Sequence, residues 1–70
     1  MSRPQYDPRR ARLYELAQRY STFEALIDEH ENAARQPGLP VKAVMWHRMK
    51  ARALRRRLRR VLEAAKQVAS

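Results

Sequence analysis

The sequence predicts an all-α fold, an antiparallel helical hairpin of coiled-coil type, and three observations carry that reading. The one glycine and the four prolines fall near the N-terminus (Pro4, Pro8) or inside "QPGLP", residues 36–40, which leaves two long stretches without a breaker. Each stretch carries one apolar ladder in alternating steps of three and four residues. Folding the chain at "QPGLP" then brings the two ladders into one constant register.

The first arm is expected over about 8–36. Asp7 can accept the orphan amide hydrogens of a helical first turn, and Pro8 suits the first helical position because its missing N–H is not needed there. The ladder on this arm is Leu13, Leu16, Tyr20, Phe23, Ile27, His30 and Ala34. One feature competes with a single long helix. "STFE", residues 21–24, is a capping box in which Ser21 and Glu24 satisfy each other's amides, and its use would bend or break the arm near Ser21 into 8–20 and 22–36.

The turn is expected at 37–40, with Gly38 able to take a left-handed conformation and Pro40 suited to open the next helix. The second arm follows over about 41–68. Its ladder is Val44, His47, Ala51, Leu54, Leu58, Val61, Ala65 and Val68. In an antiparallel hairpin Ala34 then meets Val44, His30 meets His47, Ile27 meets Ala51, and Phe23 meets Leu54. Tyr20 meets Leu58, Leu16 meets Val61, and Leu13 meets Ala65. The same register puts Glu31 near Arg48 and Glu24 near Arg55, with Ala17 and Leu62 widening the apolar seam.

Seventy residues, 44% of them apolar, allow one small domain over 1–70 with a thin core. The absence of cysteine excludes a disulfide framework and a thiolate metal site. No apolar run approaches the roughly 20 residues that span a bilayer, and "MSRPQYDPRR" lacks the apolar core of a secretion signal, so the expected location is the cytoplasm. The net charge of +9 is unevenly placed. Residues 1–36 balance six arginines against six carboxylates, whereas residues 37–70 set ten basic residues against Glu63 alone. That half of the chain attracts anions, whether nucleic acid, acidic protein or lipid headgroups.

Several residues also resemble a known family. Phe23, Leu26 and His30 in "FEALIDEH", the turn, "RMKARAL" at 48–54, and the leucine-bearing "ARLYELAQRYSTF" before the phenylalanine are similar to the YdcH-like family of small bacterial helical hairpins. The resemblance covers roughly residues 13–62. It implies a coiled-coil hairpin and carries no established biochemical role. Where that family usually continues with Leu, Lys and Asp, this chain has Arg56, Arg57 and Leu58, which makes its second helix more basic.

No nucleophile, base and orienting group converge by spacing, and no glycine-rich phosphate loop occurs, so the chain is expected not to be an enzyme and to take no cofactor or small-molecule substrate. His30 and His47 face each other in the register, but their ladder neighbours Ile27, Ala34, Val44 and Ala51 cannot ligate. They read as a polar layer in which one ring donates to the other, with no metal.

Two surface features remain. Met45, Trp46, Met49 and Ala53 make an apolar patch off the seam, which points to a second copy, a partner protein, or the N-terminal segment with Tyr6 as its cover. Arg48, Arg52, Arg55 and Arg59 follow one helical stripe with Arg56 and Arg60 alongside, and guanidinium donors at that spacing suit a nucleic-acid backbone without reading bases. The leading functional expectation is an interaction module that self-associates or binds a protein through the Met/Trp patch; the alternative is a nucleic-acid-binding accessory using the stripe.

Overall fold

The computed structural model describes residues 6–70, and two helices make up most of the described residues: α1 (Pro8–Ala34) and α2 (Val41–Ala69). Pro4 and the other residues of 1–5 lie outside the described residues. The start of α1 follows the expected chemistry. The Asp7 carboxylate accepts from the amides of Arg9 (3.0 Å) and Arg10 (3.5 Å), and Pro8 occupies the first turn. The helix ends at Ala34, with Arg35 as its C-cap, two residues before the expected limit. Gly38 takes φ +82, the left-handed conformation that the turn needs, and Pro40 leads into α2 with its carbonyl accepting from Ala43 and Val44.

α1 runs unbroken through Ser21. The capping box is not used: the Thr22 hydroxyl donates to the Gln18 carbonyl one turn back, as a helix-interior threonine does. The physical reason lies in the ladder. Tyr20 and Phe23 both turn toward α2, and a break between them would uncouple one of the two from the seam.

The two arms pack along their whole length as an antiparallel hairpin. Leu16, Ile27, Ala51 and Val61 are the buried residues, and every other ladder residue is half-buried. The register matches the expected one at the point where it is most exposed to test, because the His30 and His47 rings meet. At the open end, Arg9 reaches from α1 to the last turn of α2. Its guanidinium donates to the Val68 carbonyl (2.9 and 3.3 Å) and the Ser70 carbonyl (3.1 Å), satisfying acceptors that a helix end leaves open.

The molecule is long and thin, 62 × 23 × 11 Å. Its radius of gyration is 17.2 Å, against roughly 11 Å for a compact globule of this length. A single layer of two helices can bury only the facing stripe of each, so everything on the outer arc of α2 remains in contact with solvent.

Candidate functional site

The part of the hairpin nearest the turn holds most of its distinctive chemistry. His30 on α1 and His47 on α2 place their Nδ1 atoms 3.0 Å apart, with ring centroids separated by 5.2 Å. This is the expected polar layer. Among the described residues, no third His, Cys, Asp or Glu joins the pair in a group of metal-holding composition.

Trp46 enters this layer from the outside. Its ring stands edge-on to His47 (4.9 Å between centroids, 76°) and to His30 (5.4 Å, 75°), and the Lys50 ammonium lies 5.5 Å from its centroid. Trp46 thus covers the histidine pair with one edge while remaining 49% exposed. Periodicity placed Trp46 off the seam and could not show this contact, which depends on the reach of an indole across to a ring on the facing helix.

The four residues of the apolar patch divide into two halves. Met45 (57% exposed) and Met49 (68% exposed) line one shallow hollow with Arg48 and Arg52. Ala53 lines another with Leu26, His30, Lys50, Leu54 and Arg57. Successive steps of three and four residues along α2 still join all four into one outer arc. Tyr6 does not cover them. It is 79% exposed and sits at the open end of the hairpin, whereas the patch lies beside the turn.

The arginine stripe is exposed along its length, with Arg48, Arg52, Arg55, Arg56, Arg59 and Arg60 all on the surface. One of them has a carboxylate partner, and it is not the one expected. Glu31 pairs with Arg55, one heptad beyond Arg48, and no ion pair joins Glu24 to Arg55 among the described residues. The cause is the lean of helical side chains toward their own N-terminus. In an antiparallel pair, Glu31 leans away from the turn and Arg55 leans toward it, so they converge, whereas Glu31 and Arg48 at one level lean apart. The same offset sets Leu62 where Glu24 would need a cation. Arg12 with Glu15 (2.9 Å) and Lys66 with Glu63 (3.6 Å) are exposed pairs within one helix.

Between the arms, next to the turn, lies a cleft of about 390 Å³ lined by Glu31, Ala34 and Arg35 from α1 and by Arg48, Ala51, Arg52 and Arg55 from α2. Arg35 belongs to no stripe. Only the fold brings it beside the arginines of the other arm.

Among the described residues, no helix is long and apolar enough to cross a membrane. No protein-family model, curated protein or solved structure matches the chain.

Proposed function

We propose that the chain is a non-enzymatic interaction module that self-associates through the outer arc of α2. The observation that carries this reading is the exposure of Met45, Trp46 and Met49 on one arc of a hairpin that has only a single layer. Methionine adapts its shape to a facing surface and tryptophan contributes a large contact area, so the arc suits a protein contact better than it suits water. Pairing two hairpins back to back through α2 gives a four-helix bundle, the arrangement in which thin helical pairs commonly close a core. Kinship with the YdcH-like hairpins, proposed on the residues quoted above, is compatible with this reading and adds no role to it.

Light scattering on Met45→Glu/Met49→Glu tests it. Both side chains are exposed, so the hairpin keeps its helicity, while charge on the arc leaves the variant monomeric where the wild type is dimeric. A variant with wild-type mass would contradict the reading.

A second reading has its own support. Arg52, Arg56, Arg59 and Arg60 are exposed and form no ion pair among the described residues, which leaves their donors open to a phosphodiester backbone. Binding of this kind weakens steeply with salt. Changing these four to glutamine reduces that slope and leaves the seam intact; unchanged nucleic-acid affinity would remove the second reading.

A further inference from the structure

Ladder positions 34 and 51 are alanines, where much of the rest of the seam carries Leu, Ile, Phe or Tyr. Their small side chains leave the hollow of about 390 Å³ between the arms, within the roughly 300 to 1,000 Å³ range of small-molecule sites. Its walls hold four guanidiniums and one carboxylate. The carboxylate, Glu31, is committed to Arg55, and among the described residues no carboxylate pairs with Arg35, Arg48 or Arg52. Three arginines from two arms therefore line one cleft with no carboxylate paired to them.

We propose that this cleft is an anion site for two linked phosphoryl groups, as in a small diphosphate. Guanidinium presents paired donors in a planar fork that matches phosphate oxygens. Arg48 and Arg52, four residues apart, share one wall of α2, and Arg35 stands on the α1 wall. A ligand with oxygens on two phosphorus centres bridges both walls. Two phosphoryl groups carry roughly three negative charges near pH 7, which equals the excess of arginines over carboxylates lining the cleft. The Glu31–Arg55 pair closes the side nearest the open end of the hairpin and holds Arg55 toward the turn. This site goes beyond the self-association reading and uses none of Met45, Trp46 or Met49.

Calorimetric titration with inorganic pyrophosphate at about 0.15 M salt tests the site. The wild type binds one pyrophosphate per chain. Arg35→Gln/Arg52→Gln weakens binding by about tenfold or more, whereas Arg56→Gln/Arg60→Gln, which removes the same charge outside the cleft, changes it by less than about threefold. Ala34→Leu keeps every charge and fills the hollow, so it too weakens binding by about tenfold while circular dichroism reports intact helices; should it lose helicity, the two arginine pairs decide. Equal weakening by the two arginine pairs would overturn the proposal, since it would mean diffuse attraction to a basic surface. Binding of a short single-stranded oligonucleotide without saturable binding of pyrophosphate would overturn it as well, in favour of a backbone-tracking stripe.

Discussion

The Nδ1 atoms of His30 and His47 stand 3.0 Å apart across the helix seam, with Trp46 edge-on to both rings. In one hydrogen bond between two Nδ1 atoms, one nitrogen donates and the other accepts. The neutral pair satisfies this, and each ring depends on the other for its partner.

The two rings should therefore act as a unit. His30→Leu or His47→Leu alone leaves the remaining nitrogen without its partner and should cost roughly 1 to 3 kcal/mol in urea unfolding, whereas His30→Leu/His47→Leu removes both partners and should keep or raise helicity. Single losses that simply add in the double variant would contradict the pairing.

The ion pair across the arms gives a test of side-chain direction along the seam. A double-mutant cycle with Glu31→Gln and Arg55→Gln should return a coupling of about 0.2 to 1 kcal/mol, modest because Arg55 is largely exposed. The corresponding cycle between Glu31 and Arg48 should return none. Coupling to Arg48 instead would show that the facing side chains do not lean as described.

Arg9 ties the open end. Arg9→Ala removes its donors to the Val68 and Ser70 carbonyls and should speed amide exchange in the last turn of α2, while the His30–His47 end keeps its protection. The cost in global stability should stay within about 1 kcal/mol, since these hydrogen bonds are solvent-exposed. Uniform loss of protection along both arms would show that the hairpin has no separable end.

The features that were legible in the sequence are those set by backbone chemistry and periodicity. Asp7 and Pro8 marked a helix start, Gly38 marked the turn, and the two ladders placed His30 against His47. The features that were not legible depend on side-chain direction or on the meeting of distant elements. Residue level alone paired Glu31 with Arg48, because the opposite lean of facing helices does not appear in a heptad diagram. "STFE" suggested a break that the seam on either side of it overrides. Arg35 and Arg9 gave no local signal at all, since each is given its surroundings by the other arm: the arginines across the turn for Arg35, the last turn of α2 for Arg9. For the outer arc, periodicity identified Met45, Trp46, Met49 and Ala53 as off the seam, and only the fold divided them between the histidine layer and a methionine hollow.

Sedimentation equilibrium as a function of salt tests the central claim, that the outer arc of α2 joins two hairpins, most directly. Each chain carries a net charge of +9, so apolar association is opposed by repulsion that salt screens, the Debye length falling from about 10 Å at 0.1 M to about 3 Å at 1 M. The mass should rise with salt and concentration toward twice the 8.3 kDa of one chain, the reverse of the trend for binding to a polyanion. A mass that stays at one chain across all salt and protein concentrations would contradict self-association through this arc.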